Sequence, residues 1–491
     1  MTHVRPLRLI RSSALSIAGQ ALPLMAALLA IPGTIDALGA ARFGALSLVW
    51  ALIGAFSFFD FGLGRALTQL VASEIARGRS TAPPVTYTVL HLILWLGVVA
   101  GVGLLALTPF ALPRVLPGAP ELYPEVRVAT RWLVLGIPAV LVTTGLGGVL
   151  TAFHQFGRLT ALRIPIGMLV FLAPWAAAQV HPTLPVAVGA LVVVRLLGLV
   201  LHVVACRPLL SPHAERPADG AISAVLRFGA WMTVANLIAP LMLYLDRFAI
   251  ATLVSAVAVA QYVAPYDIVT RLLLVTGAVS GVLFPAFAAA ADRPDVLRRL
   301  LGRGVALTTG LTMPALLAVV ALAPELLRWW LSADFAIAGV RVVRWLAVGV
   351  AANCVAQVCQ ALIHGLSRPK LTAVLLLTEL PFYVGALWFG IRQFGAAGAA
   401  MAWTVRVTVD AIAHVVVAWR LAGGDRRLMF IVAPLLPLAA MTVALPALLV
   451  GLPSRIGVAG GLSIGWLVIA WRAWRQLPDQ AAWRSPDVRV P

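Results

Sequence analysis

The chain has 491 residues, 61% of them hydrophobic and 11% charged, and it carries a net charge of +19. With a mean hydropathy of +0.98, this composition excludes an ordinary soluble domain and indicates a multi-spanning membrane protein. The basic residues sit in short connections between apolar runs, where they set topology and meet anionic headgroups, so no nucleic-acid partner is expected.

Windows of about twenty apolar residues predict an all-α, polytopic protein of about fourteen spans. In chain order they run roughly over 12–31, 44–71, 86–110, 126–152, 163–180, 184–206, 228–250, 258–289, 304–323, 339–363, 371–391, 396–420, 428–450 and 456–474. The basic leader MTHVRPLRLIRSS enters an apolar stretch too long for a signal-peptide core and lacking a cleavage site, so it is expected to remain as the first span. Alternate connections carry clusters such as Arg5, Arg8 and Arg11, then Arg77 and Arg79, and later Arg298, Arg299 and Arg303. The connections between them hold only Arg42, Arg114, Arg328, Arg392 and Arg455. Positive residues stay inside, which places both termini in the cytoplasm.

No connection is long enough for a soluble domain. The longest contains SPHAERPADG and separates a six-span lobe, residues 1–210, from a second six-span lobe, 228–424, through a cytoplasmic linker at 211–227. Residues 425–491 form an accessory helix pair and tail. Repeated patterns support two like halves. Arg195 with His202 and Arg207 matches Arg406 with His414 and Arg420; His154 to Arg158 matches His364 to Arg368; LGAARFGAL from Leu38 matches VSAVAVAQY from Val254. An even number of spans per half makes these parallel repeats about an axis along the membrane normal, with a cleft between lobes that opens by rocking.

The stretch YLDRFAIATLVSAVAVAQYVAPYDIVTR, from Tyr244 to Arg271, places Asp246, Arg247, Asp267 and Arg271 within apolar runs. Intramembrane charges mark pathways by default. Asp60, Arg65, Arg195, Asp267, Arg271, Glu379, Arg406 and Asp410 lie deepest; at roughly 3 kcal/mol each they must be paired or hydrated. Asp267 with Arg271 and Arg406 with Asp410 have the i, i+4 spacing of intrahelical ion pairs. Arg65 and Arg195 have no acidic residue a turn away, and a cavity with surplus guanidinium suits phosphate. Arg127, Arg131, Arg247, Arg341 and Arg344 lie near periplasmic span ends, where snorkelling competes with a headgroup contact.

Asp60 stands beside Gly62 and Gly64, which permit either a hinge or a tight packing seam. Glu379 precedes Pro381 and reads equally as an ion site or as a packing donor. His91, His202 and His414 are single histidines in spans, each read as a packing residue ahead of a relay member. Trp329 and Trp330 read as an interfacial belt. Cys206, Cys354 and Cys359 suggest neither disulfide nor metal, and no nucleotide or hydrolase motif is present, so neither cofactor nor catalysis is expected.

Three segments carry a resemblance to a known family: LGAARFGALSLVWALIGAFSFFDFGLGRALT from Leu38, FGAWMTVANLIAPLMLYLDRFAI from Phe228 and AQYVAPYDIVTRLL from Ala260. They resemble the polysaccharide-repeat or O-antigen flippases of the multidrug/oligosaccharidyl-lipid/polysaccharide exporter superfamily. The resemblance implies a two-lobed helical bundle in a bacterial inner membrane, moving an undecaprenyl-pyrophosphate-linked oligosaccharide to the periplasmic leaflet. It implies cleft arginines for the pyrophosphate, with Arg271 the best match and Arg65 and Arg247 weaker ones. Arg195, Arg406 and Arg131 join them on the reading of depth and position, and Asp60, Asp267, Glu379 and Asp410 are candidates for ion coupling. Partners would be the lipid-linked glycan, anionic lipids, and polymerase or glycosyltransferase enzymes. A cation-coupled drug or metabolite antiporter of the same fold, and a membrane glycosyltransferase or polymerase, are the competing readings.

Overall fold

In a computed structural model the described residues are 6–57, 63–76, 81–82, 85–210, 242–424, 435–449 and 451–475, with side chains from 22 onward except those of 65, 66 and 76. The helices are α1 (Pro6–Leu38), α2 (Ala40–Phe56), α3 (Leu63–Ala76), α4 (Val85–Val115), α5 (Tyr123–Ala152), α6 (Phe156–Val180) and α7 (Leu184–Cys206). They continue with α8 (242–253), then α9 (Ala256–Arg271), α10 (Leu273–Ala289), α11 (Pro294–Trp330), α12 (Ala333–Gly365), α13 (Pro369–Phe394), α14 (Ala396–Leu421), α15 (Leu435–Leu448) and α16 (Leu452–Arg475).

The protein is all-α and polytopic, as its composition requires. Among the described residues, 10 helical segments are long and apolar enough to cross a membrane. They coincide with ten of the expected spans. The other four are the first, in α1; the second, which is divided between α2 and α3; the seventh, mostly outside the described residues; and the thirteenth, of which α15 supplies 14 residues. Asp60 and the linker at 211–227 lie outside the described residues.

Contacts divide the chain into two compact units, Met1–Ala260 and Gln261–Pro491. In the first unit α5 is the central helix, packed by α3, α4 and α7, with α6 against α1 and α7; in its most apolar stretch 72% of the residues are buried. In the second unit α12 takes that place, packed by α10, α11 and α14, with α13 against α14; the matching share is 78%. Small residues allow this density. A Cβ at Gly97 of α4 would lie 2.6 Å from the Pro138 Cα of α5, and one at Gly390 of α13 would lie 2.6 Å from the Gly398 oxygen of α14, so the backbones cross where side chains are missing.

Helix termini repeat as well. After α5 the amides of Phe153, His154 and Gln155 donate to the carbonyls of Val149, Thr151 and Leu150; after α12 those of Leu366, Ser367 and Arg368 donate to Leu362, His364 and Ile363. His154 and Ser367 take positive φ, 55° and 57°, in these two turns. The structural equivalent of His154 is therefore Ser367, and the sequence match of His154 with His364 is three residues out of register. The match of Leu38 with Val254 is in register: Gly39 and Ser255 both accept from the amide four residues on, that of Phe43 or Val259.

Among the described residues, each unit has an ion pair between residues expected near the periplasmic face. In the first, Arg42 grips Glu125 through Nε and Nη2 at 2.6 to 3.0 Å, and Glu125 also accepts from the Leu184 amide at the start of α7. In the second, Arg455 of α16 donates to Glu325 at 2.6 Å and to the Ala321 carbonyl at 2.8 Å, both on α11. This contact ties the accessory pair to α11. Trp329 is exposed, as an interfacial residue should be, whereas Trp330 is buried in the helix packing.

Candidate functional site

Two clusters of polar side chains occupy the apolar interior, one in each unit. In the first unit the organising residue is Tyr244 on α8. The Arg247 guanidinium lies over its ring, 5.4 Å from the centroid, and Arg195 of α7 is within electrostatic reach of its phenol group. Arg247 is 7% exposed. Arg195 keeps its Nε enclosed with no hydrogen bond to it. The neighbouring Asp246 is buried and accepts from the Arg247 amide at 2.8 Å. A guanidinium in a low-dielectric interior attracts an anion more strongly than one in water.

In the second unit a cavity of about 450 Å³ opens between α13 and α14, lined by Leu375, Glu379, Phe382, Tyr383, Arg406 and Val409 among others. Arg406 Nη1 lies 3.6 Å from Glu379 Oε2 and its guanidinium stands over the Tyr383 ring at 5.4 Å. Asp410 binds His414 at 3.0 Å and lies against Glu379. Two carboxylates this close repel unless a proton or cation lies between them.

The expected i, i+4 pairs are not the ones formed. Arg406 turns across to α13 rather than along its own helix, and Asp410 takes His414 as its partner; among the described residues no ion pair joins Asp267 to Arg271, and Asp267 is engaged elsewhere. The physical reason is competition. Glu379 on a packed neighbouring helix and His414 one turn on offer Arg406 and Asp410 partners with less side-chain entropy to lose. His414 is thereby a member of a charged cluster, not a packing residue. His202 is buried with Nδ1 on the Gly198 carbonyl of its own helix, and His91 is exposed with Nδ1 on Tyr87 O.

Arg271 ends α9, where the helix breaks for one residue before α10; the Leu272 amide reaches only to Val269 O, three residues back. Arg131 is exposed on α5. The Arg65 side chain lies outside the described residues. Sequence reasoning passed over Tyr244, Gly54 and Tyr383. The aromatic-basic spacing of Tyr244 and Arg247, three residues apart on one helical face, was the available signal.

Residues 9–290 match the family of polysaccharide biosynthesis proteins. The chain belongs to that family. A Shigella flexneri protein named "Putative O-antigen transporter" is 23% identical over 404 residues, spanning 82% of this polysaccharide biosynthesis protein and 96% of the Shigella chain. Among solved structures, an inward-facing multidrug-resistance MATE transporter of the MOP superfamily superposes with a TM-score of 0.70 at 15% identity, over 84% of this chain and 98% of that one. The lipid II flippase MurJ, in an inward closed conformation, superposes with a TM-score of 0.67 at 10% identity, over 95% and 100%. At these identities the likeness establishes a shared fold.

Proposed function

We propose that this protein is a flippase for an undecaprenyl-pyrophosphate-linked oligosaccharide, carrying it from the cytoplasmic to the periplasmic leaflet of a bacterial inner membrane by alternating access of two six-helix lobes. The observation that carries this reading is a pair of arginines inside the first unit, Arg247 buried against the Tyr244 ring and Arg195 with its Nε enclosed. A diphosphate cannot cross hydrocarbon bare. Guanidiniums that remain charged and offer forked donors replace its water.

In this reading Arg195, Arg247, Arg271 and Arg65 hold the pyrophosphate, while the prenyl tail stays in lipid. Arg131, exposed on α5, meets headgroups at the membrane edge. Arg406 neutralises the Glu379 and Asp410 pair, which, with Asp60 and Asp267, responds to ions and couples transport to a cation gradient. The recurrent packing around α5 and α12 supports two lobes of one plan. Family membership, the Shigella relative and the fold shared with MurJ support the cargo class, with both termini cytoplasmic from the arginine distribution.

The test is glycan export in cells that depend on this protein. Arg195→Ala and Arg247→Ala should each lower export at least about tenfold, the loss of one charge-assisted contact, at unchanged membrane levels. Wild-type export by both variants would overturn the assignment. For coupling, export that continues unchanged after the proton, sodium and electrical gradients are collapsed would remove that part alone.

A further inference from the structure

Arg247 is buried and Arg195 half-buried in the first unit, which raises the question of what fixes the direction of each guanidinium. Both are related to Tyr244: Arg247 through the face of the ring and Arg195 through the field of the phenol group. The place of Tyr244 is in turn set by a missing side chain. Gly54 of α2 exposes its backbone at the point where the ring lands, and a Cβ added there would collide with the Tyr244 hydroxyl oxygen and lie 2.7 Å from ring carbon Cζ.

We infer that Gly54 and Tyr244 are positioning residues for the pyrophosphate site: the bare backbone of α2 seats the phenol end, and the seated ring presents Arg247 toward the same anion that Arg195 meets. This rests on the cargo reading above. Gly54 serves here as a socket rather than as a hinge, since it lies within the regular helix Ala40–Phe56. The face of a seated aromatic ring attracts a cation and orients it with few rotatable bonds. α2 and α8 thereby share the ring as one support for Arg247.

Binding of undecaprenyl pyrophosphate to the purified protein in nanodiscs of zwitterionic lipid tests the inference, with inorganic pyrophosphate as competitor. Gly54→Ala should weaken binding about tenfold by displacing the ring, and Tyr244→Leu by a similar factor through loss of the cation–π contact. Tyr244→Phe keeps the ring under Arg247 and should stay within about threefold of wild type.

The double variant Gly54→Ala with Tyr244→Leu separates positioning from packing. With the ring gone the collision disappears, so thermal stability should return to the wild-type value while binding remains about tenfold weak. Wild-type affinity in Tyr244→Leu, or recovery of affinity together with stability in the double variant, would overturn the inference. Arg195→Ala and Arg247→Ala are measured alongside. If they lose binding while Tyr244→Leu keeps it, only the positioning role falls; if they bind as wild type, the cargo site itself falls.

Discussion

The sixth helix of each predicted half, α7 and α14, begins from the same plan and ends in opposite chemistry. Counted from the first residue of each helix, His202 occupies the place of His414 and Gly198 that of Asp410; on the preceding helices Ile166 occupies the place of Glu379. Both histidines bond the carbonyl one turn back, at 2.8 Å and 3.0 Å. In the first unit the surroundings are apolar: a Cβ at Gly198 would meet Ile166 Cδ1 at 3.3 Å. In the second unit the same space holds two carboxylates and Arg406. The backbone scheme is therefore common to both units and the side chains differ, with Arg247 against Tyr244 in one and carboxylates around His414 in the other; the proposed function divides the labour along that line.

The arginines of these helices follow the same lesson. By position along the helix Arg406 is equivalent to Val194, so Arg195 stands one residue further on, about 100° around the helix. That rotation is why Arg406 meets Glu379 on α13 whereas Arg195 comes under the influence of Tyr244 on α8. Read as a sequence repeat, the two arginines look interchangeable. Their directions make them different groups.

The largest effect that would break this comparison is expected at Glu379. Glu379→Ala leaves Arg406 enclosed without its carboxylate and should cost about 3–5 kcal/mol, seen as a lower midpoint of thermal unfolding in detergent. A midpoint equal to wild type would mean that the cluster is hydrated and carries no mutual dependence.

Gly198→Asp gives α7 the carboxylate that α14 has, one turn from Arg195 on the same helix. It should reduce export at least about tenfold by cancelling positive charge in the proposed cargo site, while Gly198→Ala, whose Cβ meets only the Ile166 side chain at 3.3 to 3.8 Å, changes export little. Equal export by both would dissociate charge from function in this helix.

The histidines offer a finer comparison. His414→Leu removes the partner of a half-buried Asp410 and should cost about 1–3 kcal/mol, whereas His202→Leu forfeits only a bond to its own helix, about 0.5–1.5 kcal/mol. Reversed magnitudes in thermal melts would place the polar cluster in the wrong unit. Smallest is Arg455→Ala. Glu325 is 42% exposed and regains water, so a loss of about 1 kcal/mol is expected, with earlier proteolysis of α15 and α16 and export retained.

Much of this architecture was legible in advance. Helix class and most span positions follow from apolar run length alone, because hydrocarbon demands satisfied backbone groups whatever the side chains do. The deep charges at Arg195, Glu379, Arg406 and Asp410 were legible for the same reason. Their partners were not. Spacing along one helix suggested Arg406 with Asp410, but the partner of Arg406 comes from a second helix, and crossing geometry depends on where glycines such as Gly390 and Gly398 let backbones meet. Tyr244 was passed over because its spacing from Arg247 signals only a shared helical face; the close approach of its hydroxyl to Gly54 comes from a second helix, far away in sequence.

The division of labour is tested most directly by comparing undecaprenyl pyrophosphate binding for two double variants, one in each unit. Arg195→Ala with Arg247→Ala should weaken binding about a hundredfold or more, two charge-assisted contacts being lost, while Glu379→Gln with Asp410→Asn should bind within about threefold of wild type. Retained binding in the arginine pair, or a loss confined to the carboxylate pair, would contradict the account.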